Sequence, residues 1–142
     1  MTAIIVTLTQ AVVEQLNAAS FSQTVLAERH YQPRFDLSEM DILKVSVVPR
    51  GLSLRPLDRE RHAYEYEIDV AVQKRLSSEL QAIDDLLELV EEIAEHFKLN
   101  PVIEPLKARC TEIRNAPIYA SEHLLELRQF TSVITLIYRD HR

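Results

Sequence analysis

Among its 142 residues the chain has one glycine, Gly51. Loops that cradle phosphates, and the turns of dinucleotide folds, need several glycines where backbone approaches a ligand or takes a positive φ. P-loop, Rossmann and GxSxG readings are therefore excluded. One cysteine, Cys110, forms neither an internal disulfide nor a thiolate metal cluster, which suits a chain made in a reducing cytoplasm. No run approaches the ~18 to 20 apolar residues of a membrane span. The apolar opening from Met1 to Val13 is interrupted by Thr7, Thr9 and Gln10, and it lacks the charged start of a signal peptide. With 46% apolar and 27% charged residues, the expectation is one soluble domain over residues 1–142 with its own core.

Basic character is also scarce. The net charge is −6, and between Ser77 and Lys98 seven acids face one base, so that segment alone carries the excess. With no basic stripe interleaved with aromatics, sequence-wide nucleic-acid binding by counterion release is not expected.

Periodicity supplies the elements. Leu8, Ala11, Val12, Gln15 and Leu16 recur at helical spacing, with Thr7 as a candidate cap. Thr24–Tyr31 reads as an edge strand, Asp36–Met40 as one helical turn, and Leu43–Val47 as a half-buried strand ending in a bend at Pro49–Gly51. An arginine-rich connection follows. Then Tyr64, Tyr66, Ile68, Val70 and Val72 alternate with Glu65, Glu67, Asp69 and Gln73. Ser78 and Gln81 form a capping-box pattern that opens a long helix stopped by Asn100 and Pro101. Leu80, Ile83, Leu87, Val90, Ala94 and Phe97 form its apolar stripe, widened by Leu86, Leu89 and Ile93. Lys107–Arg114 reads as a strand, Ser121–Leu127 as a short helix, and Phe130–Tyr138 as a central strand apolar on both faces. This order predicts an α+β domain: a largely antiparallel sheet of about five strands packed by two main helices.

Chemistry-bearing patterns are few. The five histidines form no HxH pair and no HExxH motif. Cys110 has no activating helix start or cationic cluster near it in the sequence, so a buried or tolerated cysteine is preferred over a nucleophile with a distant histidine. Glu65, Glu67 and Asp69 sit on one strand face about 7 Å apart, a spacing that a divalent cation could bridge in a nuclease. However, Val72 stands two residues before Lys74, where such sites place a carboxylate. A solvated strand face is the preferred reading, so no catalytic, metal or cofactor site is assigned. Asp84, Glu88, Glu91 and Glu95 align at i, i+4, i+7 and i+11 on the long helix, a like-charge stripe that suits solvent, a basic neighbouring subunit or a channel lining. Arg50, Arg55, Arg59 and Arg61 form a candidate patch of opposite sign.

The chain resembles the small tail terminator, or tail completion, proteins of long-tailed bacteriophages and prophages. The resemblance rests on the N-terminal helix with Phe21, on AERHYQPRFDLSEMDILKVSVVPR from Ala27 to Arg50, on YEYEIDVAVQKRL from Tyr64 to Leu76, on the long helix, and on IYASEHLLELRQFTSVITLIYR from Ile118 to Arg139. It implies a non-enzymatic subunit of the virion neck, made in the bacterial cytoplasm. Such a subunit forms a six-membered ring that stops tail-tube polymerisation and docks the head-tail connector, or stopper, protein. Its partners would be itself, the tube protein and the connector, with no membrane, and DNA only in transit. Another neck component, a metal-dependent nuclease using Glu65, Glu67 and Asp69, and an unassigned host adaptor are the alternatives. A ring requires two different complementary patches per subunit. The arginines and the acidic stripe are the candidates.

Overall fold

The structure is a computed structural model that describes residues 2–31, 42–76, 80–104 and 106–141. The expected turn at Asp36–Met40 and the capping residue Ser78 lie outside them. The elements run α1 (Ile4–Ala18), β1 (Ala27–Arg29), β2 (Lys44–Pro56), β3 (His62–Arg75), α2 (Leu80–Leu99), β4 (Val102–Ile103), β5 (Ala108–Arg114), α3 (Ser121–Leu127) and β6 (Gln129–His141). The strands form a single six-stranded sheet in the order β1-β2-β3-β6-β5-β4. Every neighbouring pair is antiparallel except β1 with β2.

The class is α+β, as the element order predicts, with six strands rather than about five. The additional strand is the two-residue β4, too short to carry a period-2 signal. β6 is central, between β3 and β5, and β1 is an edge strand. α1 starts at Ile4, a turn earlier than the Thr7 cap implies, and Ala3 precedes it with no side-chain cap. Thr7 instead turns its hydroxyl back to the Ala3 carbonyl oxygen. β2 differs more. It does not end at a bend but continues to Pro56, with a β-bulge between Pro49 and Gly51 that adds Arg50 to the strand. The arginine-rich segment is thus the outer strand and turn of a long β2–β3 hairpin. Proline is compatible with a strand at such a bulge, where its missing N–H is not required by the ladder.

Helices α1 and α2 cover one face, α1 over β1 and β2 and α2 over β5 and β6. Beneath them Ile68, Val70 and Val72 of β3 and Ile134, Leu136 and Tyr138 of β6 are buried against Leu8, Val12 and Leu16 of α1 and Leu86, Leu89, Ile93 and Phe97 of α2. At ~1.5 to 3 kcal/mol per fully buried large side chain, an upper bound, this layer is the main source of stability. The buried stripe of α2 is Leu86, Leu89, Val90, Ile93 and Phe97. It is rotated from the expected one: Leu87 is half-buried and Leu80 is 80% exposed. Charge placement explains the rotation, because Asp84, Asp85, Glu88, Glu91 and Glu95 all stay in water when Leu86, Leu89 and Ile93 point inward. At the sheet edge, Asn17 takes the place of a neighbouring strand. Its Nδ2 donates to the Ala27 carbonyl oxygen at 3.1 Å and its Oδ1 accepts from the Ala27 N–H at 2.7 Å.

Candidate interaction surface

The alternation in β3 places Glu65, Glu67 and Asp69 on the sheet face opposite α1 and α2, as the sequence predicts. Their cross-strand neighbours on β6 are Arg139, Ile137 and Thr135. Each carboxylate engages arginine. Arg139 Nη2 donates to Glu65 Oε1. Glu67 lies 3.5 Å from Arg114 Nη2 and 3.8 Å from Arg50 Nε. Asp69 Oδ1 lies 3.6 Å from Arg50 Nη1 and accepts the Thr135 hydroxyl proton at 2.8 Å, while that hydroxyl oxygen accepts from Arg50 at 3.1 Å. Alternation from Val45 and Val47, which face the helices, turns Arg50 onto the carboxylates, and the bulge keeps Gly51 on that same face so that Leu52 and Leu54 return to the helix-covered one. The Arg139 hydrogen bond holds the Glu65 carboxyl below its usual range, with Arg55 adding a smaller electrostatic effect. The outcome is a charge-compensated polar face. Among the described residues no group of three or more His, Cys, Asp or Glu side chains is arranged to hold a metal ion.

The four candidate arginines are spread along the arm rather than gathered in one patch. Arg50 belongs to the network just described, and Arg55 lies near the end of β2. Arg59 is exposed in the hairpin turn. Arg61 is held by Asp58 at 3.0 Å, and Asp58 also accepts the N–H groups of Glu60 and Arg61. Those bonds depress the Asp58 pKa and fix the turn as a local side-chain-to-backbone motif. On α2, Asp84, Glu88, Glu91 and Glu95 are all exposed, and Glu95 has one basic neighbour, Lys98 at 3.6 Å. Glu92, just off the stripe, accepts the Ser22 N–H at 2.9 Å and ties the loop after α1 to α2.

Two features were not legible as a site in the sequence. Residues 52–61 are exposed throughout, and they include Leu52, Leu54 and Leu57 at 52%, 51% and 49%. The L-S-L alternation of Leu52–Leu54 was the available signal for a strand, and the neighbouring arginines and proline concealed it. The second feature is an open groove of about 620 Å³ between α2 and β5, lined by apolar Ala94, Phe97, Pro101, Cys110 and Ile113 and also by charged Glu91, Glu95, Lys98, Arg109 and Glu112. Burial pushes the Cys110 thiol up, away from thiolate reactivity.

No protein-family model matches this chain, and the curated proteins contain no match to its sequence. No helix among the described residues is long and apolar enough to cross a membrane.

Proposed function

We propose that this protein is a structural assembly subunit that self-associates into a ring, with six members, at the end of a phage tail tube. There it stops tube polymerisation and presents a docking face to the head-tail connector. The observation that carries the reading is the exposed arm of β2 and β3. Its leucines lie in water in the single subunit, and the surface on the far side of the sheet, at β5 and α2, is of a different kind. Two dissimilar surfaces on opposite flanks, an exposed leucine arm and a groove of mixed apolar and charged lining, are what a heterologous, ring-closing contact needs. The arginine-bound state of Glu65, Glu67 and Asp69 favours this reading over a nuclease, because three guanidinium groups occupy the position where such chemistry would place a cation.

Light scattering and negative-stain imaging of the purified protein, alone and mixed with tail tubes, test the proposal. The expected result is a six-fold particle that caps tube ends. A species that stays monomeric and ignores tubes overturns it. In parallel, DNA incubated with the protein and Mg²⁺ or Mn²⁺ should remain intact. Cleavage that disappears in Glu67→Ala and Asp69→Ala would instead establish the metal-dependent nuclease.

A further inference from the structure

Two different edges of the sheet lack a strand partner among the described residues, the β2 one level with Arg109–Glu112 and the β5 one level with Val48–Gly51. Edges of two copies therefore meet with their strands offset by a few residues. β1 pairs with β2 only from Val45 to Val47, and His30 adds one bond to Val47, so the outer edge of β2 from Arg50 to Pro56 has no strand partner among the described residues. On the other side, β4 pairs with β5 only at Ala108 and Arg109, and Cys110 donates its N–H to Pro101. Thr111–Arg114 likewise presents an outer edge with no strand partner among the described residues. An open edge is a row of backbone donors and acceptors that templates another strand.

We propose that the β2 edge of one copy of this chain pairs with the β5 edge of the next, and that Leu52 and Leu54 seat in the neighbour's groove between α2 and β5. The inference rests on the ring reading and specifies its contact. Strand direction agrees with it. β2 and β6 run one way and β3 and β5 the other, so copies related by rotation bring β5 beside β2 antiparallel. Side-chain facing agrees as well. Leu52 lies opposite Tyr66 and Leu54 opposite Tyr64, which places both leucines on the helix-covered face. Cys110 lies opposite Tyr138 and Ile113 opposite Leu136, on that same face and at the floor of the groove. The β5 bulge between Cys110 and Glu112 makes Cys110 and Ile113 two rungs apart on β6, the same separation as Leu52 and Leu54. On the opposite face, β2 offers Arg55 and β5 offers Glu112 flanked by Arg109 and Arg114, so a register that sets Arg55 beside Glu112 is favoured over one that sets it beside an arginine. Backbone pairing of this kind supplies affinity, and the pockets for alternate side chains supply register.

Native Cys110 makes the contact testable by oxidation with copper phenanthroline, because its side chain lines the groove that Leu54 enters although Pro101 holds its outer backbone edge. Ile113 lies on the open stretch, where directly paired strand residues meet disulfide distance limits. Leu54→Cys is oxidised in the otherwise native chain, and Leu54→Cys with Ile113→Cys is oxidised in a Cys110→Ser background, covering both registers in which Leu54 faces the groove. Ser53→Cys, on the opposite face, is the control, and light scattering on the reduced protein measures assembly separately. The proposal expects a disulfide ladder ending at the ring size in at least one Leu54→Cys variant, at least tenfold faster than with Ser53→Cys, and its loss when the β5 cysteine is removed. Rings without a ladder, or a ladder formed equally by Ser53→Cys, overturn this contact and leave the ring reading standing. Reduced native protein that never associates overturns both. Leu52→Lys with Leu54→Lys supplies a check without cysteine. The proposal expects it to keep the parent melting curve and to lose assembly, whereas folded protein that still forms rings overturns the contact.

Discussion

His96 lies between α1 and α2 with its ring against Phe21 and Phe97 and its Nε2 3.2 Å from Gln15 Oε1, and burial holds its pKa below the ordinary 6.5. The folded state therefore resists protonation that the unfolded chain accepts. This contribution is present above the unfolded pKa, is lost as pH falls from about 6.5 toward the folded value, and makes unfolding easier on mild acidification. Glu65 loses stability in the same direction but in a lower window. Arg139 depresses its folded pKa below the ordinary 4.5, so its contribution is present above that value and disappears as pH falls through the depressed one. Chemical melts between pH 8 and 3 should separate the two. His96→Gln is expected to flatten the dependence from about pH 7 to 5.5 and leave the acid limb, whereas Glu65→Gln is expected to flatten only the acid limb. A pH profile unchanged in His96→Gln would show that its ring stays solvated.

At the scale of one element, α2 shows where periodicity is informative and where it stops. The helix, its end at Asn100 and its wide apolar surface were all legible, because apolar residues recur at three and four positions over five turns. Which line through that surface points at the sheet was not, because the hydrophobic arc is broad enough to admit two rotations. Mutation distinguishes them. Leu89→Ala, at a fully buried site, should cost ~2 to 5 kcal/mol in denaturant unfolding, and Leu87→Ala, half-buried on the flank, should cost less than half as much. Equal losses would restore the stripe centred on Leu87. β2 fails for another reason. Its inner half alternates and was found, while its outer half holds Pro49, Gly51 and Pro56, residues that ordinarily interrupt strands. Pairing with β3 over the length of the hairpin, a nonlocal interaction, outweighs that local signal.

Considered whole, the molecule separates its charge from its compensation. Its polar sheet face pairs Glu65, Glu67, Asp69 and Glu112 with arginines, while the stripe on α2 stays largely uncompensated. If the arm arginines steer neighbours together, reversing Arg55, Arg59 and Arg61 to Glu should weaken assembly at low salt by more than at high salt, with circular dichroism unchanged. Exposed pairs contribute only ~0 to 1 kcal/mol each, so the group is reversed together. Assembly that is identical to the parent at every salt concentration assigns the arm's role to its leucines and backbone alone. Reversal of Asp84 and Glu88, the part of the stripe away from the groove, that leaves assembly intact would place that part in solvent or in the channel of the proposed ring, where it would repel DNA phosphates.

The central place of β6 also bears on how the chain reaches its fold. The strand that joins the two halves of the sheet is the one that follows all the others in sequence, pairing with β3 along Ala63–Arg75 and with β5 along Arg109–Arg114. A ribosome adding ~5 to 20 residues per second exposes β2 and β3 seconds before that partner exists. During the interval the β3 edge and the apolar residues Ile68, Val70 and Val72 have no β6 neighbour, and association at that stage joins chains through the wrong edge. A nascent chain truncated before Gln129 is therefore expected to engage a holdase chaperone until β6 emerges.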